Sequence, residues 1–410
     1  MKKPPELLAP AGSLKMAQAA FDFGANAIYA GQPRYSLRVR NNEFGDLDKL
    51  KAAIDLAHAR GSQCYVVSNI YPHNAKLKTY LADMAPVVAL RPDALIMADP
   101  GLMAMIRERW PEMPIHLSVQ ANTVNHAAVR FWRSVGVARV ILSRELSLDE
   151  IAEIRQACPD TELEVFVHGA LCVAYSGRCL LSGYFNHRDP NQGSCTNACR
   201  WKYRLIEEET RPGELMPIEE DEHGTYILNS KDLRAIEYVE RLVAIGVDSL
   251  KIEGRTKSAY YVARSCQSYR RAIDDALAGR PFSAELVTEL DGLANRGYTA
   301  GFYERHPDRE YQNYLTGLSR LGTSQYVGDV TGYVDGLAEI EVKNRFAVGD
   351  RIELIHPAGN TVVTVERMMK LGAGEAATPA EIAPGSGHRV RIPLPPGKEG
   401  AFLARLGSDG

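Results

Sequence analysis

Four cysteines crowd into one stretch of the chain: Cys172, Cys179, Cys195 and Cys199. The gaps between them are six, fifteen and three residues, and the other three cysteines, Cys64, Cys158 and Cys266, stand apart. Thiolates are soft ligands, and four of them close the coordination shell of zinc or of an iron–sulfur cluster. Zinc ribbons favour two tight pairs. Here only Cys195 and Cys199 are close, so a cubane cluster fits the spacing at least as well as zinc. Cys64, set between Gln63 and Tyr65-Val66-Val67, reads as a buried apolar thiol, and so do Cys158 and Cys266.

A second group of reactive side chains follows short apolar runs. Asn69, Asp99, Gln120 with Asn122, Ser143-Arg144-Glu145, His168-Gly169 and the run from Lys251 through Glu253 to Arg255 all stand in such places. Taken singly, Asp99 and Ser143 read as helix caps or satisfied loop residues, whereas the whole set reads as a polar pocket. Two segments mix arginine with aromatic rings: Arg34-Tyr35 with Arg38 and Arg40, and Arg200-Trp201-Lys202-Tyr203. That mixture suits a phosphate backbone with splayed-out bases, or else an exposed ribbon of alternating charge.

The elements that must position these groups come at a regular spacing. The apolar runs are Glu6 to Ala9, Ala27 to Ala30, Gln63 to Ser68, Ala94 to Met97, Ile115 to Gln120, Arg139 to Ser143, Leu163 to Val167 and Ser249 to Glu253. The first seven begin about 20 to 35 residues apart, the length of a βα unit. Amphipathic stretches lie between them, such as Ser13 to Phe23, Leu47 to Arg60 and Leu148 to Ala157. Ser147 and Glu150 form a capping-box pattern, and Gly24, Gly61 and Gly136 fall where helices must end. Eight such units predict an α/β fold of the (β/α)8 TIM-like barrel type. An open doubly wound sheet is the competing topology, but no Gly-x-Gly-x-x-Gly follows the first strand.

The seventh connection is far longer than the rest, and residues 170–229, which hold all four clustered cysteines, form an insertion in it. Long insertions at the carboxyl face of a barrel are usually functional, so the insertion is expected over the barrel mouth. Helices at Ser258 to Ala278 and Phe282 to Ala294 are expected to cover the barrel, completing a first domain of residues 1–322. Residues 323–410 turn to short strands and turns and predict a small β-barrel, an architecture that often binds RNA.

The chain has 410 residues and a net charge of −3, so any nucleic-acid contact must come from local basic patches. No run approaches the ~20 apolar residues of a membrane span, and the first residues lack a signal-peptide pattern. A cytoplasmic protein without membrane partners is expected, with its thiols as ligands rather than disulfides.

Several segments resemble peptidase family U32, the collagenase-like peptidases. They are Glu6 to Gly12, Glu164 to Cys172, Ser176 to Ser182, Asn229 to Leu233 and Lys251 to Arg255, and the likeness runs from residue 6 to roughly residue 345. Asn186 to Gly193, leading to Cys195 and Cys199, is similar to one subgroup of that family, which hydroxylates the wobble uridine of tRNA to 5-hydroxyuridine using prephenate. The resemblance implies a [4Fe-4S] cluster on Cys172, Cys179, Cys195 and Cys199. Some relatives carry a cysteine just after the Ser-Lys-Asp-Leu block, where this chain has Arg234, so Cys199 is the available fourth ligand. On that reading, the two basic segments supply Arg34, Arg38, Arg40, Arg200 and Lys202 to neutralise the phosphates of a tRNA anticodon loop. Prephenate, a dicarboxylate co-substrate, would lie on Arg144, Lys251 and Arg255, with Glu145, His168 and Glu253 for proton transfer. Two alternatives remain: hydroxylation of another RNA, and collagenase-like peptidase activity. The sequence has no His-Glu-x-x-His or Gly-x-Ser-x-Gly, which counts against the peptidase.

Overall fold

The computed structural model describes residues 4–31, 34–37, 42–171, 206–207, 215–216, 219–221, 224–226, 231–295, 297–304, 324–372 and 377–407. Eight parallel strands close into a barrel: β1 (Glu6–Ala11), β2 (Ala27–Gly31), β3 (Gln63–Ser68), β4 (Ala94–Met97), β5 (Ile115–Leu117), β6 (Arg139–Ile141), β7 (Glu162–Ala170) and β9 (Ser249–Ile252). The ring closes where β9 pairs with both β1 and β7. Strands such as β2 and β4 are buried along their whole length, because helices cover one face and the barrel interior the other.

Helices follow the strands in the rhythm that the sequence predicts. They are α1 (Leu14–Asp22), α2 (Leu47–Ala59), α3 (Asn74–Ala89), α4 (Pro100–Arg109), α5 (His126–Ser134), α6 (Leu148–Ala157), α7 (Val239–Ile245) and α8 (Ala259–Leu277). A short polar residue after the strand starts most of them. Ser13 accepts from the amide of Met16, Asp99 from Leu102, Asn125 from Ala128 and Ser258 from Tyr261. Ser147 and Glu150 form the full capping box that their spacing predicts. Each such cap is worth about 1 kcal/mol. Gly24, Gly61 and Gly136 take φ of 97°, 65° and 86° just past their helices, a region L-residues avoid.

The seventh connection departs from the repeat. A short strand, β8 (Asp232–Arg234), runs antiparallel to the end of β7, and Tyr298–Thr299 pairs alongside it. The acidic run Glu219–Asp221 forms a hairpin with Gly224–Tyr226. The four clustered cysteines lie outside the described residues, as do Arg38, Arg40, Arg200 and Lys202.

A second unit comprises Val287–Asn295 and residues from Arg320 onward, so the helix Glu285–Asp291 is divided between the two units. Its main sheet is antiparallel throughout, built on the long strand Ser324–Val334, which pairs with Leu337–Val342 and Phe402–Leu406. Val327, Ile340, Phe346, Leu354, Val390 and Leu403 fill its own core. Among the described residues no helix is long and apolar enough to cross a membrane.

Candidate functional site

The barrel interior is charged at depth. Arg139, at the start of β6, is 5% exposed and donates to Glu6 at 2.6 Å, Glu162 at 2.9 Å and Glu164 at 3.2 Å. Burial opposes the charge of Arg139, but Glu6 and Glu164 more than offset it and raise its pKa. Glu6 also accepts from Tyr65 (2.7 Å) and Ser249 (2.9 Å). One layer nearer the mouth, Lys251 of β9 donates to Glu164 of β7 at 2.7 Å. A charge inside an apolar parallel strand needs such a partner, because an isolated buried ion is far less stable than a solvated one.

Above this ladder the strand ends open into a recess of about 490 Å³, counting the solvent-filled part. Tyr29, Asn69, Ser118, Gln120, Arg144, Phe166, Lys251, Glu253 and Arg255 line it, together with aliphatic side chains. One wall is cationic. Arg144 lies over the Phe166 ring, 3.7 Å from ring centre to guanidinium carbon, and is 3.9 Å from Glu253. Lys251 sits 4.5 Å from the Tyr29 ring centre and Arg255 5.7 Å from it. Aromatic faces thus support all three cations in a partly dry setting, where cation–π attraction is strongest. Gly31 permits this crowding: a Cβ there would fall 2.1 Å from Nη1 of Arg255.

The opposite wall is neutral and locked by hydrogen bonds. Asn69 accepts from the amide of Leu37 (3.3 Å) and donates to Ser118 (3.0 Å). Ser118 ends β5 and caps a single 3-10 turn over Val119–Ala121, which Asn122 closes with a left-handed φ of 53°. The Tyr71 hydroxyl holds the carbonyl of Gln120 at 2.7 Å. The turn shortens the strand that the sequence predicts over Ile115 to Gln120 and places Gln120 on the recess.

The structure therefore brings Arg144, Lys251, Glu253 and Arg255 together and places the other proton-transfer candidates elsewhere. Glu145 hydrogen-bonds Ser143, which donates to Asn122 at 2.7 Å. His168 lies outside the recess lining, 1% exposed, with the rings of Tyr261, Tyr269 and Tyr298 centred 5.6, 5.5 and 5.4 Å away. A bulge causes this. Lys251 pairs with Phe166 but Ile252 pairs with His168, so β7 carries one extra residue and His168 turns away from the inward series of Glu164 and Phe166. Burial pushes its pKa down to about 3, leaving a neutral imidazole at ordinary pH. Gly169 beside it is obligatory, with φ of 102° and a Cβ position 2.4 Å from the Glu253 carbonyl.

Tyrosine hydroxyls donate to backbone carbonyls of both chain segments around the bulge. Tyr303 donates to Phe166, Tyr269 to Val167, Tyr29 to Ile252 and Tyr261 to Glu253, at 2.5, 2.6, 3.0 and 3.1 Å. Asp99 caps α4, as its position after a strand suggests. Arg34 bonds Asp83 of α3 at 2.7 Å, and Tyr35 bonds the same carboxylate at 2.5 Å. Cys64, Cys158 and Cys266 are buried thiols, and burial raises those of Cys64 and Cys266. Among the described residues no cluster of three or more His, Cys, Asp or Glu could hold a metal ion.

Sequence reading missed Glu6, Arg139 and Glu164. The signal was present in Leu163-Glu164-Val165 and Leu250-Lys251-Ile252, where a charge interrupts a fully apolar strand. Two opposite charges so placed on strands seven and eight of one barrel are natural partners.

A closed parallel barrel with a polar, charged recess at the carboxyl ends of its strands has the build of a barrel enzyme. The chain belongs to peptidase family U32: that family's model matches residues 12–313, and the model of its C-terminal domain matches residues 322–405. It is 57% identical over 430 residues to "tRNA hydroxylation protein P" of Escherichia coli, covering 95% of this chain and 94% of the relative. The Haemophilus influenzae protein of the same name is 53% identical over 434 residues, with 95% and 93% covered. A "Collagenase" of Porphyromonas gingivalis is 29% identical over 412 residues, with 95% and 94% covered.

Proposed function

We propose that this protein is a tRNA hydroxylase that converts the wobble uridine to 5-hydroxyuridine, with prephenate as co-substrate. The relatives named for tRNA hydroxylation, alike over nearly the whole chain, support the reaction class. The observation that carries the co-substrate is the convergence of Arg144, Lys251 and Arg255 on one recess. Three fixed cations suit two carboxylates, and guanidinium groups grip carboxylates in bidentate fashion.

Replacing hydrogen by hydroxyl at C5 adds an oxygen atom and withdraws two electrons from the base. Side chains supply neither, so the reaction needs a co-substrate and a redox group. Cys172, Cys179, Cys195 and Cys199 provide the four-thiolate donor set a [4Fe-4S] cluster takes, and such a cluster supplies one-electron chemistry when bound. Glu253 lies on the recess within reach of Arg144 and of the Tyr29 hydroxyl (3.4 Å), and it is the carboxylate we assign to receive the C5 proton. The wobble base is already poorly stacked in its loop, so extruding it towards the recess costs little.

Peptide hydrolysis has less support, since the sequence carries neither His-Glu-x-x-His nor Gly-x-Ser-x-Gly and His168 lies outside the recess lining. Mass spectrometry of tRNA nucleosides from a deletion strain and its parent, under limited oxygen, tests the proposal. Loss of 5-hydroxyuridine, restored by the gene but not by a Cys179→Ser copy, is expected. Unchanged tRNA would overturn it and redirect the search to other RNAs and to peptides.

A further inference from the structure

Lys251 reaches the recess from inside the barrel, with a side chain only 4% exposed. Its partner Glu164 has no exposure at all and binds Lys251 through Oε1 and Arg139 through Oε2. Arg139 is held in turn by Glu6 and Glu162. Charges therefore alternate in layers from the barrel floor to the recess.

We infer that Glu164 is a positioning residue of the recess: through Oε1 it fixes the Lys251 ammonium at the recess floor and supplies its counter-charge, while Arg139 on Oε2 holds Glu164 in place. This rests on reading the recess as a dicarboxylate site. An ammonium has three donors, so one on Glu164 leaves others for a ligand carboxylate. Without a counter-charge, a desolvated amine gives up its proton instead. Burial lowers the pKa of Lys251, and Glu164 is the largest opposing influence. Glu253, just past the same strand, also raises it and Arg255 lowers it. The remaining neighbours are Arg144 after β6, Arg139 on β6, His116 on β5, the rings of Tyr29 and Phe166, and Glu6 with Tyr65 below. His116 is buried and held neutral by burial, Arg139 and Lys251, so it cannot replace the lost negative charge.

Glu164→Gln keeps the shape and removes the charge, and the full chain is used. Two readouts are compared across about pH 6 to 9. Lysine 13Cε and 15Nζ shifts, with Lys251 assigned through its absence in Lys251→Arg, report deprotonation without any ligand. Calorimetric titration with prephenate reports the anion site. In Glu164→Gln the deprotonation midpoint should fall by about one unit or more, and affinity within about threefold of the parent near pH 6 should fall about tenfold behind it near pH 8. Equal midpoints in the two proteins would overturn the inference. So would an affinity loss of one constant factor at every pH, the mark of a structural defect. A lowered midpoint in a protein whose parent binds no prephenate would uphold the role of Glu164 and overturn the dicarboxylate reading. Should Glu164→Gln fail to fold, Glu164→Asp keeps the charge but draws it back by one methylene, and an intermediate midpoint is expected; a parental one counts against the inference.

Discussion

Lys251 and His168 stand on neighbouring strands, one on each side of the same bulge, and are 3% and 1% exposed. Burial depresses the pKa of both. Their surroundings differ. Lys251 meets a carboxylate at 2.7 Å, whereas three tyrosine rings enclose His168. Glu164 favours the charged form of Lys251, whereas burial, with Lys257 and Arg234, outweighs the influence of Asp232 on His168, so one residue joins the chemistry of the recess while the other packs as a neutral ring. A bulge of one residue is enough to turn His168 out of the inward series that Lys251 faces.

The charged side of this comparison breaks most severely at Arg139. Arg139→Met leaves Glu6 and Glu164 in the barrel without their shared cation. Removing one partner of a buried pair costs about 3 to 5 kcal/mol. Urea unfolding should show a loss of this size, and a loss below 1 kcal/mol would mean the ladder is well solvated.

The neutral side answers to pH. His168 titrates near 6.5 in the unfolded chain and about 3 in the folded one. Between those values the unfolded chain binds a proton that the fold refuses. Its contribution is therefore harmless above pH 6.5 and destabilising as pH falls through the window, by up to a few kcal/mol at about pH 3 to 4. His168→Phe should flatten the fall of stability between pH 6.5 and 4, with His116, depressed by burial as well, sustaining part of the slope. An unchanged slope would place a charged His168 in the fold. Gly31→Ala sharpens the recess side instead. Its methyl must displace the Arg255 guanidinium and also crowds the buried Ser36 hydroxyl, so prephenate affinity should fall about tenfold with a stability loss of about 1 to 3 kcal/mol. Equal affinity would remove Arg255 from the anion site.

Much of the barrel was legible, for reasons that particular residues make plain. Gln63–Ser68, Ala94–Met97 and Leu148–Ala157 form where their period and flanking caps place them. Local signals suffice there, because one strand or one cap decides the outcome. The recess was half legible: charged residues after apolar runs pointed to Arg144, Lys251, Glu253 and Arg255. His168 was misleading as a pocket residue because a bulge depends on the register between two strands, which no single segment encodes. Glu164 and Arg139 escaped for a related reason, since their pairing joins β6 and β7 to β1 and β9. The cysteine cluster is read from spacing and resemblance alone.

An exposed pair completes the comparison at the smallest scale. Arg34 and Asp83 are also 2.7 Å apart, as are Lys251 and Glu164, yet their side chains are 50% and 28% exposed. Water screens such a pair, so Arg34→Ala should change stability by less than about 1 kcal/mol. The Tyr35 hydroxyl keeps Asp83 engaged in either case. Arg34 is the informative member of the proposed RNA contacts because its guanidinium already has a carboxylate. If a phosphate replaces that partner when tRNA binds, Arg34→Ala should lower the slope of log affinity against log salt by about one. If the slope stays at its parental value, Arg34 anchors the loop after β2 to α3 through Asp83, and the phosphate contacts fall to other residues.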